Sequence, residues 1–155
     1  MTENMLDELD TRILVALQRD AQLTADALAR ILNLSPSQAG RRRQRLEKIG
    51  LIDAYVGKVN ADALGLKVQA FVQVQMATHK PEMVAEFTRL VETEPRIIAA
   101  FTLTGDADYL LRVYCRDLAQ LNELLHERIL PQPAVARVQS QIVMDQLKPD
   151  TPLPI

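Results

Sequence analysis

The sequence predicts an α+β chain in two parts: helices over residues 1–60, then strands and helices in alternation over residues 67–148. Three observations carry this. Apolar residues recur every three or four positions through the first fifty residues, which is the helical period. From Lys67 that period gives way to alternation, as in KVQAFVQVQMATH, with Val68, Ala70, Val72, Val74 and Met76 on one face and Gln69, Gln73 and Gln75 on the other. Charge divides along the chain as well. Residues 1–26 carry Arg12 and Arg19 against Glu3, Asp7, Glu8, Asp10, Asp20 and Asp26, whereas residues 27–60 carry Arg30, Arg41, Arg42, Arg43, Arg45, Lys48 and Lys58 against only Glu47 and Asp53. In a chain of formal net charge -2, this local excess points to one surface that meets a polyanion, and not to a generally cationic protein.

The elements follow in order. Leu6, Leu9, Ile13 and Leu17 form one apolar stripe on a first helix that ends between Gln18 and Ala21. Thr24 is placed to cap a second helix, with Ala27, Leu28, Ile31 and Leu32 on its buried side. Asn33 and Leu34 break the pattern. Ser35-Pro36 restarts it, with Ser35 as N-cap, Pro36 in the first turn and Gln38 able to complete a capping box; Gly50 ends this third helix. Helix, short turn, helix, with a helix in front, is a helix-turn-helix unit. In LIDAYVGKVN, Ile52, Val56 and Val59 around Gly57 predict a two-stranded wing, hence a winged helix-turn-helix.

Residues 61–66 form a linker. After the strand in KVQAFVQVQMATH, PEMVAEFTRLVETEP repeats Met83, Val84, Phe87, Leu90 and Val91 as a helix. RIIAAFTLT and DYLLRVYC predict two strands joined by Gly105-Asp106-Ala107. Asp117 caps a helix with Leu118, Leu121, Leu124 and Leu125 on its apolar side, and VARVQSQIVMDQL supplies a fourth strand. The order strand, helix, strand, strand, helix, strand is the ferredoxin-like βαββαβ plan, which puts both helices on one face of the sheet. The other face needs a cover, and a partner subunit is the simplest one. Residues 149–155 read as an extended tail.

Several function classes are set aside. No apolar run approaches the roughly 20 residues of a membrane span, and MTENMLDELD is acidic where a secretory signal is basic, so the expectation is a cytoplasmic protein with no membrane partner. The single cysteine, Cys115, lies in an apolar strand, leaving no internal disulfide and no clustered Cys/His metal site. There is no catalytic Ser/His/Asp set and no phosphate-cradling loop among the five glycines, so neither an enzyme nor a cofactor is expected.

LDELDTRILVALQRDAQLTADALARILNLSPSQAGRRRQRLEKIGLI in the first part and LTGDADYLLRV in the second resemble the Lrp/AsnC, or feast/famine, family of transcription regulators, over nearly the whole chain. The resemblance implies a winged or near-winged helix-turn-helix on double-stranded DNA and a ferredoxin-like regulatory domain. It also implies homodimers built through the regulatory sheets, in many members assembled as octamers of four dimers. The implied effector is an amino acid or similar small metabolite bound between dimers.

At about 100° per residue, Ala39, Arg43, Leu46 and Gly50 share one stripe of the third helix, and Gln38, Arg41, Arg42, Arg45 and Lys48 spread over the rest. Arg41, Arg42 and Arg45 are thus expected to point outward together into a major groove, where guanidinium forks suit phosphate oxygens and the O6/N7 edge of guanine. Ser35, Ser37 and Gln38 sit at the helix start, the end that meets base edges in this motif, and Lys58 sits in the wing. Arg43 stands where the family commonly places an apolar residue; its methylenes are expected along the domain surface and its charge on Glu47.

Gly105, Asp106 and Asp108 serve a tight turn on their own account. The resemblance adds that this Gly-x-x-Asp-Tyr hairpin lines the effector pocket, with Asp108 receiving the amine and Thr104, Gly105 and Asp106 beside it. Two other readings stay open. One is an enzyme like the siroheme decarboxylases that share this plan, drawing on His79 or His126. The other is an effector-sensing assembly protein without specific DNA binding.

Overall fold

The computed structural model describes residues 6–155; residues 1–5, the start of the expected helix-turn-helix part, lie outside the described residues. The chain divides into two compact units, one of residues up to Lys58 together with Lys148–Ile155, the other Val59–Leu147.

In the first unit, helices α1 (Glu8–Arg19), α2 (Ala25–Leu32) and α3 (Pro36–Lys48) are each started by a side-chain cap. Asp7 and Asp10 form a capping box on α1, Thr24 accepts from Ala27 N, and Ser35 and Gln38 form a second capping box on α3. Asn33 ends α2 in the left-handed conformation (φ 56°), where asparagine's short polar side chain is tolerated. Ile13, Leu17, Leu28, Ala29, Leu32, Ala39 and Leu46 make the core, with Ile52 packed against it.

Three expectations fail here. Ile31 is 49% exposed and Ala29 takes its place in the core, because an eight-residue helix with its face centred on Leu28 and Leu32 leaves position 31 at the edge. Leu6 precedes the cap of α1 and is also largely exposed. Residues 51–60 form no strand, so the wing is absent: Ile52 turns to the helical core and Tyr55 is held by α3, while Val56 and Val59 face outward.

The second unit is a four-stranded antiparallel sheet, order β2-β3-β1-β4, from β1 (Val68–Met76), β2 (Ile97–Thr102), β3 (Tyr109–Cys115) and β4 (Val135–Ile142). Ala70, Val72, Val74 and Met76 of β1 and Leu111, Val113 and Cys115 of β3 pack on Phe87 and Leu90 of α4 (Pro81–Thr93) and Leu121 of α5 (Leu118–Glu123). The alternation read from the sequence is the burial alternation of β1. The opposite face is mixed: Phe71, Leu110, Phe101 and Tyr114 lie among Gln73, Gln75, Arg112, Arg137 and Gln139.

Asp117 caps α5 by accepting from Gln120 N, but Leu118 is 59% exposed, being the first helical residue and not part of the apolar stripe. Beyond Glu123 the helix widens to π geometry over Leu124–Ile129, closed by Leu130 N donating to Leu125 O at 2.9 Å. The wider turn places Leu124 and Ile129, five apart, on the same buried side, which an α-helix would not do. Among the described residues no helix is long and apolar enough to cross a membrane, and no three His, Cys, Asp or Glu gather as a metal site.

Candidate nucleic-acid interface

The basic segment of α3 is built on its own cap. Ser35 N donates to Gln38 Oε1 (3.1 Å) and Gln38 N donates to Ser35 Oγ (3.2 Å), fixing the helix start and turning the carbonyl end of the Gln38 side chain inward. The Gln38 amide NH2 is left for an outside acceptor. Ser37 is exposed beside it.

Arg41, Arg42, Arg45 and Gln38 line one open trough of about 610 Å³ together with Leu34, Leu9 and Asp7. The three arginines differ within it. Arg41 is exposed and has no ion-pair partner among the described residues. Arg42 Nη1 donates to Asp7 Oδ2 at 2.6 Å and to Asp10 Oδ1 at 2.8 Å, and Arg45 Nη2 pairs with Asp10 Oδ2. Asp10 is fully buried. Arg41, Arg42 and Arg45 thus share one trough, but two of them are drawn against the first turn of α1, which the sequence reading did not foresee. The reason is the capping box of that helix. Asp10 N donates to Asp7 Oδ1 (2.8 Å) and Asp7 N to Asp10 Oδ2 (3.3 Å), so both carboxylates are fixed at one point and attract the nearest cations. The backbone N–H of Asp10 and then the Arg42 guanidinium hold the Asp7 carboxyl below the usual carboxylate range, and Asp7 and Asp10 push Arg42 up.

Around the trough the net charge is small: three arginines against two aspartates leave one positive charge, with Lys48 exposed one turn further along. Preorganised guanidinium groups lose less side-chain freedom on binding than free ones, while the field they cast at long range is weaker. Sequence reasoning missed Asp7 and Asp10. The signal was present as two carboxylates three apart in LDELD, the spacing of a cap, but their partners are 32 and 35 residues away.

Arg43 lies on the packing side and its charge meets Glu47, with Nε to Oε1 at 3.1 Å. It does more: Nη1 donates to Leu23 O (2.7 Å), Nε donates to Tyr55 Oη (2.9 Å), and the guanidinium stands 4.6 Å from the Tyr55 ring centre. Tyr55 in turn donates to Glu47 (2.8 Å), and this hydrogen bond, ahead of the one from Arg43, lowers the Glu47 pKa. Lys58 is exposed, in a segment without regular secondary structure and not on a hairpin.

In the second unit, Gly105 (φ 118°) makes the turn between β2 and β3. Asp108 is tied to β1: its N donates to Val74 O (3.0 Å), and its Oδ2 accepts from Met76 N (2.7 Å). Its other oxygen lies 3.7 Å from His79 Nε2 and is partly open to solvent. Thr104, Gly105 and Asp106 are exposed. Asp106 lines a cleft of about 60 Å³ on the open sheet face with Gln73, Gln75, Ala107, Arg137 and Gln139, which neither Thr104 nor Asp108 lines. Arg137 is a third residue that sequence reasoning passed over; its register opposite Gln75 brings it there.

Comparison with known proteins agrees with both units. Residues 6–47 match the AsnC-type helix-turn-helix domain and residues 69–153 match the Lrp/AsnC ligand binding domain. The chain is 32% identical over 151 residues to the DNA-binding transcriptional activator DecR of Escherichia coli, covering 97% of this chain and 99% of that one. It is 31% identical over 143 residues to the leucine-responsive regulatory protein of Haemophilus influenzae, covering 92% and 86%. Among solved structures, a transcriptional regulator of Neisseria meningitidis in complex with L-Met superposes with a TM-score of 0.93 at 31% identity, covering 97% of each chain. An AsnC family regulator from Agrobacterium tumefaciens gives 0.88 at 33%, covering 96% and 97%. This chain belongs to the Lrp/AsnC family of DNA-binding transcriptional regulators.

Proposed function

We propose that Gln38, Arg41, Arg42, Arg45 and Lys48 of α3, with Ser35 and Ser37 at its start and Lys58 beyond it, contact duplex DNA in a major groove. Ser35 acts there as the cap that sets the helix start, and the others supply donors. The observation that carries this reading is the trough in which Arg41, Arg42, Arg45 and Gln38 converge at the exposed side of the second helix of a helix-turn-helix. Footprinting on the chain's own promoter, followed by titration of that duplex in increasing salt, tests it. Protection with a salt slope of several units is expected, and binding without salt dependence would refute phosphate contact by these residues.

The effector reading assigns Thr104, Gly105, Asp106 and Asp108 to an amino acid or related metabolite. The Asp108 oxygen that faces His79 and not the backbone, and the Asp106–Arg137 cleft, support it, since an α-amino acid needs one anionic and one cationic partner. The L-Met complex of the neisserial relative makes methionine the first compound to try. The working species is a homodimer, or an octamer of four dimers; Phe71, Phe101, Leu110 and Tyr114 on the open sheet face suit a second copy, and light scattering measures the mass. The siroheme-decarboxylase-like reading gains nothing from the histidines, because His79 and His126 both lie at the surface.

A further inference from the structure

The last eight residues, KPDTPLPI, carry three prolines, at 149, 152 and 154. Proline fixes φ and removes the backbone donor, so this segment is already extended before it meets anything and loses little more freedom on docking. With Pro152 and Pro154 on either side, Leu153 owns the one backbone N–H between Thr151 and Ile155. That N–H donates to Gln18 Oε1 at 2.6 Å, and Gln18 Nε2 donates back to Leu153 O at 3.4 Å. A side-chain amide has thus paired with both polar groups of one extended residue, the way a peptide backbone is held in a groove.

The groove itself, about 600 Å³, runs between α1 and residues 51–56, with Leu14, Leu17, Leu51 and Ile52 among its apolar walls. Leu153 and Ile155 are the tail's only large apolar side chains, and both line it. They remain 72% and 58% exposed, so the seat is shallow and the contact reversible.

We propose that this groove is a docking site for the chain's own carboxyl-terminal Leu-Pro-Ile, and that docking braces α1 for DNA binding. The chain leaves the helical unit after Lys58 and returns to it at Lys148, directly after the segment that follows β4. The tail is therefore a second link to α1, covalently continuous with the segment after β4 and hydrogen-bonded to Gln18, and the first turn of α1 carries the Asp7 and Asp10 partners of Arg42 and Arg45. The DNA arm of this proposal rests on the function proposed above; the docking arm does not.

Photo-crosslinking of the 155-residue chain with Ile155→p-benzoylphenylalanine tests docking. A crosslink at monomer mass to residues 14–21 or 51–56 is expected. A crosslink at dimer mass would assign the groove to a second copy's tail, and a crosslink elsewhere or none would leave the groove without this occupant; each overturns the proposal. The second arm compares the intact protein, Leu153→Asp and a chain ending at Leu147 on a promoter duplex, with circular dichroism to verify folding. Affinity at least threefold weaker in both variants is expected. Equal affinity in all three overturns the bracing role, whereas an intact protein that binds no duplex refutes the DNA-binding reading and leaves the crosslink result standing.

Discussion

Arg42 places one guanidinium nitrogen 2.8 Å from the fully buried carboxylate of Asp10. A residue whose sequence position marks it for DNA is thus tied, in the free protein, to the first turn of another helix. Asp10 orients Arg42 and Arg45; Asp7, half-exposed, neutralises part of their charge.

Asp7→Asn separates these two effects. The amide oxygen keeps the bond from Asp10 N, while an NH2 replaces the Oδ2 that accepts from Arg42, so that bond and the negative charge leave the trough rim. Affinity for non-specific duplex at low salt is expected to rise about threefold, and the salt slope to steepen, because Arg42 then has more charge to offer phosphate. Fluorescence anisotropy at several salt concentrations reads both quantities. A drop in affinity would mean that Asp7 acts only by holding Arg42 in place.

In the sheet unit, Asp108 has a structural duty as well as an assigned ligand role. Asp108→Asn retains an oxygen for Met76 N and should leave the melting temperature within a few degrees of wild type. Calorimetry with the twenty amino acids is expected to find a binder whose affinity falls at least tenfold in this variant. If no amino acid binds, or if the binder is unaffected, Asp108 does not receive an amine.

Glu94 is the second buried carboxylate, with oxygens 2.6 Å from Arg96 Nε and 3.0 Å from Arg96 Nη2, and Arg128 at 3.7 Å. The Arg96 hydrogen bond outweighs burial and lowers its pKa. A carboxylate depressed in the folded state stabilises fully above its unfolded pKa, about 4.3, and that contribution is lost as pH falls through the folded value. Asp7 and Glu47, lowered by Asp10 N and by Tyr55 respectively, act in the same direction. Stability should therefore hold from pH 7 to about 5 and fall below about 4. Glu94→Gln should cost about 2 kcal/mol at neutral pH, the value of hydrogen bonds to a charged group, and flatten the acid fall. Urea melts across pH 3–7 measure this.

The parts of the fold that were legible from the sequence are those set by neighbours in the chain. The Ser35–Gln38 cap, the end of α2 at Asn33 and the alternation of β1 each depend on residues within a few positions. The absent wing depends on a partner twelve residues away: Tyr55 answers Arg43, so the segment after Gly50 lies against the helices and does not pair with itself. The π turn needed a packing constraint, the joint burial of Leu124 and Ile129, that a three-and-four apolar count does not register. In the candidate site, the membership of Gln38, Arg41, Arg42 and Arg45 in one surface follows from helical geometry. Their inequality does not, because Asp7 and Asp10 reach α3 only through the tertiary packing of α1.

Arg41 is the trough arginine without an ion pair among the described residues, so its removal alters the DNA contact and little else. The most direct measurement is the salt dependence of promoter-duplex binding for wild type and Arg41→Ala. The account predicts an affinity loss of about tenfold and a slope shallower by about one unit, with unchanged thermal stability. An unchanged affinity and slope would contradict the assignment of α3 as the DNA-reading helix.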